Sequence, residues 1–323
     1  MTSAAGALSA HASNVAAWAE GRGLTISAAK STITLFTSDL HQSHLHPQVS
    51  LHNSPLPLNR NPRILGVTFD PHFTFSPHIA SIVSRASPRL NILKALAGTT
   101  WGQQKETLIT TYKSLIRPLL TYANPIWFPN SSPSAIQKLQ VLQNSALRIA
   151  TGCVRASAIS HLHAETQVLP VRDHLSLLCS QYLARTLQPN HPSHTIVTSP
   201  SGPRTVRHTL QSRFLSVVAP YAEGGIIPPA SYAQTLKAIH TSAVAAAISS
   251  QPPNRVLQSP PPSIAEEEKS LPRPARTLLA QLRSGFGPSL NDYRGRLDSA
   301  FNPLCPSCRE KPQTVDHLFQ RSS

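Results

Sequence analysis

Residues 132–152, SPSAIQKLQVLQNSALRIATG, give the clearest fold signal in the chain. Serine followed by proline is typical of a helix start, because serine can cap the first turn and proline fits the first helical position. Gly152 supplies a helix stop. The stretch therefore predicts an amphipathic helix that buries one face. The apolar residues of that face are Ile136, Leu139, Leu142, Ala146 and Ile149.

Similar signals lie on both sides of this helix. Ser76 with Pro77 predicts an earlier helix start, Pro88 an interruption, and residues 171–187 another helix. Between them, one helical stripe is expected to be buried: Leu108, Ile109, Tyr112, Leu115, Ile116, Leu119, Leu120 and Ala123. Residues 76–190 thus predict a helical bundle.

The amino-terminal part has a mixed pattern. Residues 3–18 have helical periodicity that ends at glycines 21 and 23, and residues 24–37 are β-rich because Ile33 and Leu35 alternate with threonines. A short strand is expected within 48–52 and another at 64–69, turned by Asp70 and Pro71. The predicted fold class is mainly α, with a small α+β element at the amino terminus.

The carboxyl-terminal part is rich in helix breakers. Residues 190–230 and 251–263 contain many Pro, Ser and Gly residues and are expected to be irregular, with one helix between them at 231–250. A further helix is predicted over 264–283, interrupted near Pro272 and Pro274, with acidic residues 266–268 in its first turn as the helix dipole favours.

The charge balance favours a polyanionic partner. The 323 residues contain 29 Lys and Arg against 14 Asp and Glu, a net charge of +15. Such an excess promotes binding to nucleic acid through counterion release. No apolar run is long enough to span a bilayer, no secretory signal is evident, and four cysteines are too few for a disulfide scaffold. An intracellular protein, nuclear or cytoplasmic, without a membrane partner is expected.

No catalytic residue is predicted from the sequence. There is no Asp-Asp pair, Gly-rich phosphate loop, G-x-S-x-G elbow or H-E-x-x-H helix. The acids before residue 200 are isolated, and the expectation for each is a solvated or capping role: Glu20, Asp39, Asp70, Glu106, Glu165 and Asp173.

Several blocks, in a fixed order, resemble the carboxyl-terminal part of a non-LTR retrotransposon reverse transcriptase of the LINE-type, jockey-like family. They are AWAEGRGLTISAAKSTITLF at 17–36, RILGVTFDPHFTFSPHI at 63–79, YKSLIRPLLTYANPIW at 112–127, KLQVLQNSALRIATG at 138–152 and LPVRDHL at 169–175. The resemblance implies the end of a polymerase palm at 1–75, a helical thumb at 76–190, an irregular region with one helix at 191–263 and a C-terminal helix with a Cys/His tail at 264–323.

In that family an Asp-Asp-bearing strand upstream of these blocks holds two Mg²⁺ ions for polymerisation. The resemblance therefore implies a fragment that begins after the catalytic aspartates, binds an RNA/DNA template–primer, lacks its own Mg²⁺ and is inactive alone. Lys30 would lie near nucleotide phosphate, and Gly66 would sit in a tight hairpin at the primer end. Thumb cations would face the nucleic-acid backbone: Lys113, Arg117, Lys138 and Arg148. Three aromatic residues are expected in the core: Tyr112, Tyr122 and Trp127.

The tail carries a second resemblance. LLAQLRSGFGPSLNDYRGRL at 278–297 precedes Cys305, Cys308 and His317, and related tails add a cysteine four residues after the histidine, completing a zinc site. Arg321 occupies that position here. A weak three-ligand zinc site and a decayed site both remain open, because structural zinc sites use four ligands.

Two other interpretations remain open. The chain could be a non-enzymatic, basic nucleic-acid-binding protein derived from such an element, or its apolar helix stripes could serve as a protein-interaction scaffold. Protein partners are not identified by any motif.

Overall fold

The computed structural model describes residues 2–42, 44–98, 101–199, 209–254, 256 and 265–319. In this part of the chain the structure is mainly helical, as predicted. The α-helices are α1 Thr2–Glu20, α2 Ser76–Ala86, α3 Leu90–Leu96, α4 Lys105–Leu115, α5 Arg117–Thr121, α6 Asn124–Trp127, α7 Pro133–Thr151, α8 Ile159–Thr166, α9 Val171–Thr186, α10 His194–Thr198, α11 Leu210–Val218, α12 Tyr232–Ser249, α13 Glu266–Ser270, α14 Arg273–Arg283, α15 Asn291–Leu297 and α16 Val315–Phe319. None of these described helices is both long and apolar enough to cross a membrane.

The described strands are short and form two antiparallel pairs. Strand β1 (Ser50–Leu51) pairs with β2 (Ser54–Pro55), and β3 (Arg63–Ile64) pairs with β4 (Val67–Thr68). Each pair closes through two residues with positive φ, which is typical of tight hairpins.

The chain divides into two compact units. The first comprises Met1–Ser81 and Trp127–Ala135, and the second comprises Ile82–Ile126 and Ile136–Ser323. In the first unit α1 packs beside β1, where the Ser50 amide donates to the Ser9 hydroxyl at 3.1 Å. The turn before α2 is fixed by the buried Asp70 carboxylate, which accepts a hydrogen bond from the Phe75 amide at 2.6 Å. Asp70 thus has the capping role expected of it.

The second unit is a helical assembly held by apolar faces and buried amides. Tyr112 in α4 is buried, and its hydroxyl donates to Gln143 in α7 at 2.5 Å. The Asn124 amide donates to the Leu175 carbonyl of α9 at 2.9 Å. Helices α11 and α12 also pack against α9. The helix starts predicted at Ser76 and Ser132, the interruption at Pro88 and the stop at Gly152 are confirmed.

Some local predictions are wrong. Residues 24–37 do not form a strand, because Ile33 makes only one isolated bridge, to Leu58, and residues 28–30 form a 3₁₀ turn. The strand predicted at 64–69 is a hairpin that turns at Leu65 and Gly66. Helices α10 and α11 lie in a range predicted to be irregular. Helix α11 forms because Phe214 and Val218 supply an apolar face for packing on α9.

The predicted stripe at 108–123 is divided between α4 and α5. Pro118 cannot donate a backbone hydrogen bond, and α4 ends at Leu115, which is 38% exposed. Tyr112 and Trp127 are fully buried, as predicted, but Tyr122 is 55% exposed. Its expected place in the core is therefore wrong.

Candidate nucleic-acid interface and metal centre

The β3–β4 hairpin presents its turn to solvent. Leu65 has a φ of 46° and Gly66 a φ of 86°, and Leu65 is 88% exposed. Two positive φ values let the backbone reverse within two residues, and glycine adopts this conformation without strain. The tight hairpin implied by the resemblance is therefore present. Lys30, the other candidate of the first unit, is exposed at the end of its 3₁₀ turn.

In the second unit, Lys113 and Arg117 lie close together across the α4–α5 break. Burial lowers the pKa of Lys113, and the Arg117 charge lowers it further. His174 of α9 lies near the same cations, and its pKa falls to about 4 through burial first and then through the charges of Arg117, His240 and Lys113, so its ring is neutral at pH 7. His174 and His240 were missed by sequence reasoning, since the helices that carry them are far apart along the chain.

The other two predicted thumb cations lie on α7. Lys138 is exposed, and Arg148 is half-buried in the last turn. The Nε of Arg148 is buried without a hydrogen-bond partner in the described part of the chain. Among the described residues, no carboxylate forms an ion pair with Lys113, Arg117, Lys138 or Arg148. Their charge is therefore available to an anionic ligand.

Three glutamates of the second unit form ion pairs with a cation on another helix: Glu106, Glu165 and Glu268. Glu165 of α8 is buried and meets the Lys105 ammonium at 2.6 Å and Arg283 at 3.4 Å. Arg283 also pairs with the buried Glu268, and this contact holds the pKa of Glu268 below its usual value. The solvated or capping role expected of Glu165 is therefore wrong.

The ion pair of Glu106 joins α4 to α14. Arg276 pairs with Glu106, and the hydrogen bonds lower the pKa of the Glu106 carboxyl.

The acidic side chains do not converge on a metal site. All 14 of them lie in the described part of the chain. The group of metal-ligating side chains found there consists of two cysteines and a histidine and contains no carboxylate. The donor set of this chain therefore does not fit a two-Mg²⁺ site, which needs converging carboxylates.

The tail brings its three predicted metal ligands together. The Cys305 thiol, the Cys308 thiol and the His317 ring have donor atoms within 4.8 Å of one another, and Cys308 Sγ lies 3.3 Å from His317 Nε2. Tetrahedral zinc with bonds of about 2.0–2.3 Å requires similar spacings, so these residues fit three of its four positions. Arg321, at the position of the fourth ligand in related tails, lies outside the described residues.

The backbone around the two cysteines forms a tight turn. The Cys305 amide donates to the Lys311 carbonyl at 2.8 Å, and the Arg309 amide donates to the Cys305 carbonyl at 2.8 Å. Hydrogen bonds from the backbone at Lys311 and Glu310 lower the pKa of the Cys308 thiol. The turn therefore holds both sulfur atoms on the side that α16 approaches with His317.

Comparison with curated proteins identifies relatives of one kind. The chain is 27% identical over 165 residues to the probable RNA-directed DNA polymerase from transposon X-element of Drosophila melanogaster, 26% over 199 residues to that from transposon BS, and 24% over 183 residues to the RNA-directed DNA polymerase from mobile element jockey. The chain is related to the RNA-directed DNA polymerases of non-LTR retrotransposons. The resemblance noted in the sequence is thereby confirmed.

The extent of the match is limited. The alignments cover 51%, 58% and 56% of this chain but only 18%, 22% and 20% of the three relatives. The chain thus spans about a fifth of the length of these polymerases. No protein-family model and no solved structure matches it.

Proposed function

We propose that this chain is the template–primer-binding, thumb-containing part of a retrotransposon RNA-directed DNA polymerase, and that it cannot polymerise DNA alone. The observation that carries the proposal is a set of four cations that form no ion pair with any carboxylate the structure describes: Lys113, Arg117, Lys138 and Arg148. The relatives supply the class of nucleic acid, since they are named as RNA-directed DNA polymerases.

Phosphate binding would neutralise these cations, which have no partner among the described carboxylates. Lys113 and Arg117 repel each other, and burial adds a cost to the Lys113 charge that lowers its pKa. A phosphate group placed between them would remove this repulsion, since charge-assisted hydrogen bonds to phosphate are among the stronger ones in proteins. Backbone contacts of this kind hold a duplex without reading its sequence.

The proposed lack of polymerase activity rests on the arrangement of the acidic side chains. Polymerisation requires two metal ions held by acidic side chains, and Mg²⁺ would be supplied by palm residues of a longer polymerase. In this chain Glu106, Glu165 and Glu268 neutralise arginine and lysine side chains instead. A zinc ion at Cys305, Cys308 and His317 would have a structural role, tying α16 to the cysteine turn.

The proposal is tested by binding of a fluorescein-labelled RNA–DNA primer–template duplex across a KCl series. The logarithm of the binding constant should fall with the logarithm of salt by about 0.7–0.9 per neutralised phosphate. Arg117→Gln should weaken binding by about tenfold, as loss of a hydrogen bond to a charged group predicts. The matched control is Lys269→Gln, which removes an exposed lysine already paired with Glu266.

Primer extension tests the second half of the proposal. The purified chain should add no nucleotide to the same duplex with Mg²⁺ or Mn²⁺. Extension by a preparation free of other polymerases would show that the catalytic assignment is wrong, and absence of duplex binding at low salt would refute the binding assignment.

A further inference from the structure

A basic cavity lies between α3, the end of α7 and α14. Its volume is about 580 Å³, within the range of about 300–1,000 Å³ typical of small-molecule sites. Three cationic residues line it, namely Lys94, Arg148 and Arg273, and no acidic residue is among the described residues that line it. The remainder of the wall is mainly apolar and includes Ile149, Pro274 and Thr277.

Arg273 gives the cavity a fixed positive wall. The residue is 7% exposed, and its guanidinium donates to four main-chain carbonyls, those of Gly98, Gln103, Ile149 and Ala150, at 2.7–3.3 Å. These contacts hold the side chain in place, but the carbonyl groups are uncharged and do not neutralise the guanidinium. Arg273 makes no ion pair with any carboxylate that the structure describes. Its positive charge would therefore attract an anion in the cavity strongly, because a buried charge is poorly screened by water.

Arg148 and Lys94 supply donors that can reach a ligand. Both lie in the last turns of their helices and take part in no ion pair with a described residue. The buried Nε of Arg148 has no hydrogen-bond partner in the described part of the chain. Because Arg148 lines the cavity, a phosphate group there would neutralise a charge that no described carboxylate neutralises.

We propose that the cavity receives one unpaired nucleotide of a bound nucleic-acid strand, with its phosphate between Lys94 and Arg148 and its base against the apolar wall. This inference rests on the proposed binding of nucleic acid and adds a specific binding site for one nucleotide. The charge selects the phosphate, and the apolar wall suits the face of a base, which can stack without sequence preference.

The test measures anisotropy of a labelled RNA–DNA duplex that has a single-stranded RNA overhang, and of the same duplex with an abasic overhang. Lys94→Gln and Arg148→Gln should each weaken binding of the first duplex by about tenfold and lower the salt slope by about one. Lys237→Gln is the matched control, because Lys237 is an exposed lysine of α12 outside the cavity. The Lys94 side chain is exposed, so its replacement is expected to leave the fold intact.

A second variant tests binding of the base in the cavity without changing the charge of the protein. Ala97→Leu narrows the cavity that Ala97 lines and should remove the preference of the wild-type chain for the normal overhang over the abasic one. Equal affinity of the wild-type chain for both overhangs would refute the binding of a base in the cavity. If the wild-type chain binds the duplex but the Lys94 and Arg148 variants match the Lys237 control, the cavity inference fails, and duplex binding is left to Lys113, Arg117 and Lys138 of the proposed function. If the wild-type chain binds neither duplex at low salt, both fail.

Discussion

Replacing Glu165 with glutamine is expected to destabilise the helical unit by about 3–5 kcal/mol, the cost of leaving a buried charge without its partner. The Glu165 and Lys105 side chains are only 3% and 8% exposed, and their charged atoms are 2.6 Å apart. Arg283 approaches the same carboxylate at 3.4 Å. Glutamine keeps the shape of the side chain, but it leaves two cations around a neutral amide.

Two further variants separate burial from charge. Glu266→Gln removes an exposed ion pair, in which the Glu266 side chain is 84% exposed and that of Lys269 is 49% exposed, and should cost about 0–1 kcal/mol. Combining Glu165→Gln with Lys105→Met removes both members of the buried pair, and should recover much of the loss because no unpaired ammonium remains.

The free energy of unfolding would be measured by urea titration, followed by far-UV circular dichroism and by tryptophan fluorescence. Coincident transitions would justify a two-state treatment, and an unchanged slope would assign the difference to stability. A loss for Glu165→Gln no larger than that for Glu266→Gln would refute the reasoning, since it would mean that the buried pair contributes no more than a solvated one.

Three further outcomes are expected. Gly152→Ala should cost about 1–3 kcal/mol in a urea titration, because φ is +71° there and a new Cβ would collide with the Thr277 methyl group; an unchanged midpoint would contradict this. Burial lowers the pKa of His174 to about 4, whereas an unfolded histidine has a pKa of about 6.5, so the free energy of unfolding should fall by up to about 3 kcal/mol as the pH drops through that interval. The pH profile of His174→Gln should be flatter over the same range, and parallel profiles would show that this residue is not the source. Cys308→Ser should weaken the thiolate-to-cobalt absorption band that Co²⁺ gives at a cysteine site, because one of its two thiolates is lost, while replacement of the buried Cys179 should leave the band unchanged; an undiminished band in the Cys308 variant would place the metal elsewhere.

Local signals in the sequence predict most of the helices. Ser76 with Pro77 and Ser132 with Pro133 begin α2 and α7 as expected, and the left-handed Gly152 ends α7. Such signals act within one turn of chain, so they need no knowledge of the fold. The tail ligands could also be found from sequence, because Cys305 and Cys308 belong to one turn.

Long-range features could not be predicted in this way. Residues 24–37 have strand-like alternation, but a strand requires a partner, and Ile33 finds one only at Leu58. Glu165 resembles any solvated acid in the sequence, because its partners Lys105 and Arg283 are 60 and 118 residues away. The same holds for the cavity, whose basic side chains come from three separate helices.

The two cations that pair with Glu165 are synthesised at different times during translation. Lys105 leaves the ribosome before Glu165, but Arg283 follows it 118 residues later. Until then α8 lacks the contact between Glu165 and Arg283 and the hydrogen bond between the His161 ring and the Ala280 carbonyl of α14. The nascent helical unit therefore remains incomplete until α14 has emerged.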